Sequence, residues 1–431
     1  MKAKLSLKFL AHFFVALTFV AGACTLAAAQ YQETILHDFN GGSPNQPGAG
    51  LISDAQGNLY GETGVYGVGC DTNCGTAFEL SPTDSGWKYT GLHVFVGGAD
   101  GVAPQGGLTM DAEGNLYGTT AQGGGTCTFQ SGGCGTVFKL TRNSNGTWSE
   151  TVLHRFTRST DGALPFSGVI FDASGSLYGT TDFGGANTGA CPQGCGTIFK
   201  LTPNGATWTF SVIHNFTAGS DGAFGGGLVF DATGNLYGVS AGGGTVNNHC
   251  GGDGCGTVFK MAPNGSGWTK TTLYIFSGES DGATPISLVI DAAGNLYGVS
   301  LYAGHGNNTD CSPNGCGTVF ELSPQGNEYS FTLLHAFIGS DGANPSGVVL
   351  DSSGNVFGAS ERYGSSCCGT IFELMPTGSG SWNFTTLFNF TGKTDGNYPP
   401  GPPVVDASGN LYGVTSNGGA ANSGVAWELT P

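Results

Sequence analysis

Apolar and polar residues alternate along this chain in short runs, and residues 104–156 show the pattern in full. Pro104-Gln-Gly-Gly-Leu-Thr-Met-Asp111 is a short extended run. Ala112-Glu-Gly-Asn115 is turn chemistry, because Gly and Asn tolerate positive φ and an Asp side chain bonds backbone N–H groups two residues on. Leu116-Tyr-Gly-Thr-Thr120 reads as a second strand, and a glycine-rich loop with two cysteines follows. Gly135-Thr-Val-Phe-Lys-Leu-Thr141 alternates as a third strand. Asn143-Ser-Asn-Gly146 turns the chain again, and Trp148 to Phe156 is a fourth strand. Nothing in the unit has a 3.6-residue apolar period, so four short antiparallel strands are expected and no helix.

The unit recurs. A version of Asp-Ala-x-Gly-Asn-Leu-Tyr-Gly begins at Asp54, Asp111, Asp172, Asp231, Asp291, Asp351 and Asp406, at spacings of 55 to 61 residues. Such a period marks a supersecondary unit copied in tandem, and four antiparallel strands per copy make one propeller blade. The ends give a test. Tyr31-Gln-Glu-Thr-Ile-Leu-His-Asp-Phe39 matches the fourth strand, whereas the final Val425-Ala-Trp-Glu-Leu-Thr430 matches the third. An open array would leave two sheet edges unpaired; a ring would pair them. The expectation is an all-β, seven-bladed propeller over residues 30–431, closed by strand 31–39, with an open solenoid as the alternative.

Residues 1–29 read as a signal peptide: Lys2, Lys4 and Lys8, an apolar run from Phe9 to Ala23, then Ala27-Ala-Ala29 before Gln30. A retained anchor or a lipid-modified Cys24 are the alternatives. No later stretch approaches the ~20 apolar residues of a membrane span, and no anchor is expected after the last repeat. The net charge is −17, which disfavours nucleic acid and anionic lipid as partners. Glycine, 79 of 431 residues, has no three-residue period, so collagen is excluded; it recurs at turn positions.

Gly114-Asn-Leu-Tyr-Gly-Thr-Thr120 with Gly135-Thr-Val-Phe-Lys-Leu140, and their equivalents from about Gly50 to the C-terminus, resemble the Gloeobacter–Verrucomicrobia tandem repeat (GloVer). NHL-type propellers are similar at a greater distance. The resemblance implies export and a propeller-like fold, and it implies no activity and no catalytic residues. The anchored members of that family differ from this chain at the C-terminus.

Beyond the leader, twelve cysteines fall in six local pairs, each between the second and third strands: Cys70/Cys74, Cys127/Cys134, Cys191/Cys195, Cys250/Cys255, Cys311/Cys316 and Cys367/Cys368. An even count in an exported chain points to disulfides. Zinc is disfavoured, because two cysteines per loop without a recurrent histidine supply half a site. The neighbouring pair Cys367-Cys368 would force a strained peptide. His37, His93, His154, His214 and His335 share one column of the fourth strand with Tyr274 and Phe388, so a flat ring that packs explains them better than a ligand or base. Gly238-Val-Ser240-Ala-Gly242 lacks the strand-to-helix context of a nucleophile elbow.

Two features suggest a site. Asp100, Asp161, Asp221, Asp281, Asp341 and Asp395, each followed by Gly, lie in the crossovers between blades. They are turn residues or, ringed around the channel, Ca²⁺ ligands. The cysteine loops, on the same face, vary most and carry Tyr66, Phe183, Tyr302 and Tyr363 at a comparable offset. Exposed aromatics beside Asn, Asp and Gly suit stacking on sugar rings. The expected function is therefore a binding or protein-interaction module outside the cytosol, secreted or periplasmic and monomeric, with a protein or glycan of a cell surface or matrix as partner. Glycan binding and an extracellular hydrolase or lyase at the channel mouth are the alternatives. No unit holds a convergent polar set that the others lack, which disfavours the enzyme.

Overall fold

The computed structural model describes residues 31–39, 46–64, 74–125, 127, 132–185, 189–247, 250–304, 311, 314–326, 328–378 and 380–431. The leader with Cys24, and also Tyr66 and Cys70, lie outside the described residues. Residues 31–431 form one compact unit.

Seven antiparallel sheets form a ring, one per repeat. Blade 4 is typical: Ala223–Phe230 is innermost, then Leu236–Gly242, Thr257–Asn264 and Gly267–Ile275 outermost. In blade 7 the order is Val404–Val405, Leu411–Val414, Val425–Thr430 and then Gln32–Asp38 from the start of the chain. That closing strand pairs from Gln32↔Thr430 to Asp38↔Val425. The ring is closed and the solenoid is excluded. Closure also continues the side-chain seams: His37 stacks on Tyr89 of blade 1 at 4.5 Å, and Trp87 of blade 1 lies 6.0 Å from Tyr412 of blade 7.

The core is a set of seams between neighbouring blades. One cluster joins Phe95 of blade 1 to Phe138 and Leu140 of blade 2; another joins Phe276 of blade 4 to Phe320 and Leu322 of blade 5. The repeated Asp-Ala-x-Gly-Asn acid does more than shape a turn. Asp111 Oδ1 accepts from the backbone N–H of Glu113 and Asn115, and its Oδ2 accepts from Asn115 and, at 2.9 Å, from the Tyr117 hydroxyl. Burial would raise this carboxyl; the Asn115 and Tyr117 bonds outweigh it and hold the acid below its usual range. The fixed Tyr117 ring then receives Trp208 of the next blade, centroids 6.0 Å apart. Trp268 on Tyr178 and Trp382 on Tyr297 repeat the contact at 5.8 Å.

The glycine of Leu-Tyr-Gly is not a turn residue. A Cβ on Gly179 would stand 2.5 Å from Cζ of Phe199, and one on Gly118 2.6 Å from Cζ of Phe138. Close approach to the third-strand ring, rather than positive φ, demands glycine in this column.

Candidate ligand-binding face

In blades 2 to 6 the second strand runs from an Asp-Ala-x-Gly-Asn turn, or its variant, on one face to a cysteine loop on the other. On the loop face the disulfides Cys127–Cys134, Cys191–Cys195, Cys250–Cys255, Cys311–Cys316 and Cys367–Cys368 are formed. Cys74 is disulfide-bonded as well. Bonded cysteines fit a compartment outside the reducing cytosol, extracellular or periplasmic. No helix among the described residues is long and apolar enough to cross a membrane.

The second acid series is tied to the histidine column, a link the packing reading of those rings overlooked. Nε2 of His93, His154, His214 and His335 lies 2.8–3.2 Å from a carboxylate oxygen of Asp100, Asp161, Asp221 and Asp341. Where the ring is Tyr274, its hydroxyl donates to Asp281 at 3.0 Å. Asp395, opposite Phe388, accepts instead from the Thr391 N–H and hydroxyl. The rings pack as well: His154 on Phe210 and His335 on Phe384 have centroids 3.7 Å apart. Asp221 is further bound by Lys270 of blade 4 at 3.1 Å. Burial opposes its ionisation, but the His214 bond and the Lys270 charge prevail and hold it well below the usual range. Each of the six acids is thus engaged by side chains or backbone N–H groups of the protein. No group of three or more His, Cys, Asp or Glu with metal-binding geometry occurs among the described residues.

The aromatics behave differently. Phe183 and Tyr302 occupy one repeat column and Tyr363 the next. Tyr302 of blade 5 and Tyr363 of blade 6 meet in a cavity of about 280 Å³ whose polar lining includes Asn314, Asn344, Glu361 and Arg362. The Glu361 carboxyl is raised by burial, has no hydrogen-bond partner among the described residues, and is moderated by the Arg362 charge. Arg362 itself lies 5.6 Å over the Tyr398 ring. At the same place between blades 3 and 4, Phe183 and Phe224, 5.5 Å apart, line a cavity of about 350 Å³ with Val246, which is 63% exposed.

A third space is the central channel, about 830 Å³, walled by the innermost strands. Its lining is glycine-, proline- and aliphatic-rich, with runs such as Gly225-Gly-Gly227 and Pro400-Gly-Pro-Pro403. Among the described lining residues one is charged, Asp182. On the opposite face a cavity of about 540 Å³ lies between blades 2 and 3, but it is lined by the repeated seam residues Asp111, Asn115, Tyr117 and Trp208.

Glu361 and Asp182 were missed in the sequence. They share the column after the second-strand Ser or Thr, which otherwise holds Gly64, Ala121, Ala241, Leu301 and Ser416. Two acids in a column of mostly small or apolar residues are the signal.

The Gloeobacter/Verrucomicrobia repeat model matches residues 22–248, 124–310 and 249–431. The chain belongs to that family. Among curated proteins none matches it. Among solved structures, the extracellular domain of BT4673 from B. thetaiotaomicron is similar at TM-score 0.54 and 8% identity, over 93% of this chain and 40% of that one. The Pseudomonas aeruginosa periplasmic gluconolactonase PpgL is similar at TM-score 0.50 and 12% identity, over 86% and 99% of the two chains. At such identities the likeness is one of fold.

Proposed function

We propose that this repeat protein is an exported binding module whose ligand is a carbohydrate, held on the cysteine-loop face between blades 5 and 6. Tyr363 carries the reading. It has φ +61° and is 41% exposed. Its repeat column is glycine in blades 2, 3, 4 and 7, as Gly123, Gly184, Gly243 and Gly418, all at positive φ. A left-handed conformation costs a residue with a Cβ roughly 1–2 kcal/mol. A large ring placed there and left exposed gains little by packing, so its use lies in what it meets from outside. Beside it stand Tyr302, two amides, a carboxyl and a guanidinium. Aromatic faces cover the C–H side of a sugar, and Asn, Glu and Arg satisfy its hydroxyls as mixed donors and acceptors.

A glycan array run with and without Ca²⁺ tests this. Binding is expected, and Tyr363→Gly abolishes it while leaving the protein no easier to unfold, because glycine relieves the backbone. Binding that survives both Tyr363→Gly and Tyr302→Ala would overturn the placement.

The second reading, a protein-interaction platform, is favoured by the cavity between blades 3 and 4. Phe183, Phe224 and exposed Val246 form an apolar recess of the kind that receives an aromatic anchor from a partner surface. An array without hits, together with a partner lost on Phe183→Ala, would select it.

A further inference from the structure

The channel holds a problem that the blades do not solve. Asp182 follows the second strand of blade 3, Leu177–Thr181, and its backbone N–H is tied to the Leu164 carbonyl at 3.2 Å. Asp182 lines the channel together with Phe224 and Gly225 of blade 4. The carboxyl makes no hydrogen bond to another described residue, and the residue is half-buried, partly open to the channel. Burial alone pushes it up to about 7, and no charged group acts on it from blade 3, blade 4 or across the channel. Every other turn or crossover acid described above is hydrogen-bonded. A lone carboxylate on an otherwise uncharged, largely apolar channel wall is stabilised when an opposite charge arrives.

We propose that the central channel is a second binding site, distinct from the cavity between blades 5 and 6, which takes an organic cation: an ammonium group seated on the Asp182 carboxylate, with its carbon chain along the apolar channel wall. The donor set decides for an organic cation. Ca²⁺ or Mg²⁺ needs several converging oxygens, and the described residues gather no such group. An alkylammonium needs one carboxylate and apolar surface for its methylenes. The wall supplies Phe166, Phe224, Leu228 and Ile286, and aromatic faces attract ammonium ions directly. At about 830 Å³ the channel has room for a chain of several carbons, and the net charge of −17 raises the local concentration of any cation.

The bound state requires an ionised carboxylate, so at mildly acid pH the ligand displaces the Asp182 proton to solvent. Isothermal titration with 1,4-diaminobutane at 0.15 M salt is the test. Affinity should fall roughly 30-fold from pH 8 to pH 5.5, following the ionised fraction of a group near 7. At pH 6 the heat should depend on the buffer, reporting the released proton. Asp182→Asn should weaken binding at least tenfold, and 1,4-butanediol, the neutral analogue, should not bind. The Asn variant is close to the protonated acid in shape, so its melting temperature at pH 5 should match that of the unchanged protein; this separates loss of the site from loss of the fold. Binding retained in Asp182→Asn would mean diffuse attraction to an acidic surface and would overturn the proposal. So would binding independent of pH, equal binding of the diol, or no binding. None of these outcomes bears on the sugar cavity, whose variants are read on the array.

Discussion

At the scale of single residues, the repeat separates two demands for glycine that composition alone merges. Gly175 has φ +80° and nothing lies within 4 Å of where its Cβ would stand, so its requirement is conformational. Gly179 requires space, since Phe199 fills the volume its Cβ would occupy at 2.5 Å. Gly179→Ala should therefore cost about 1–3 kcal/mol of unfolding free energy by overpacking, measured by chemical denaturation. The cost should shrink when Phe199 is also changed to Leu, because the two sites share one volume. A cost unchanged in the Phe199→Leu background would show that the backbone, not the ring, demands the glycine. The same scale singles out Tyr363 and Asp182: each places a large or charged group in a column that is mostly glycine or other small residues.

At the scale of elements, the closing strand is the sharpest case. Gln32–Asp38 covers the edge of Val425–Thr430, which would otherwise present unpaired backbone to other chains. Deleting residues 31–39 should abolish the single cooperative unfolding transition and lead to aggregation. Light scattering and a thermal melt check this, and an unchanged melting temperature would refute closure as a stabilising contact. This element was legible from the match of residues 31–39 to the fourth strand of the repeat, and the strand order, the turns and the cysteine pairs were legible because periodicity and local spacing determine them. The coupling of His93 to Asp100 was not legible as a bond, although both columns were, because the pairing depends on how the crossover folds back on its own outer strand. The shared cavity of Tyr302 and Tyr363 was hidden for a related reason: it lies between blades, its two rings about 60 residues apart in the chain, and no local pattern records it. Asp182 and Glu361 were visible only as exceptions within an aligned column.

At the scale of the whole molecule, carboxyls of two kinds, buried and turn-bound, act in opposite directions on stability. Burial raises Glu33 to about 8, with the Asp395 charge adding to it; burial raises Glu62 to about 8 and Glu150 to about 7. Glu33 lies on the closing strand, so the ring joint itself carries one of these groups. Each holds its proton in the folded state at a pH where the unfolded chain, with an ordinary value of 4.5, has released it. Stability from these groups is present below about pH 4.5 and is lost as the pH rises through about 7 to 8. The turn acids Asp54, Asp111, Asp172, Asp231 and Asp406 are held below their usual range by Asn, Ser, Thr, Tyr and backbone bonds that outweigh burial. Their contribution is present above the ordinary carboxylate range and is lost as the pH falls below it. The two sets together predict a maximum of stability in mildly acid solution, with melting temperature falling on both sides. Glu33→Gln keeps the shape of the protonated acid and cannot ionise, so at pH 8.5 this variant should melt above the unchanged protein, while at pH 5 the two should agree. A melting temperature that climbs steadily from pH 5 to 8.5, or a Glu33→Gln variant that is no more stable at pH 8.5, would show that Glu33 ionises freely and that the joint between the chain ends is open to water.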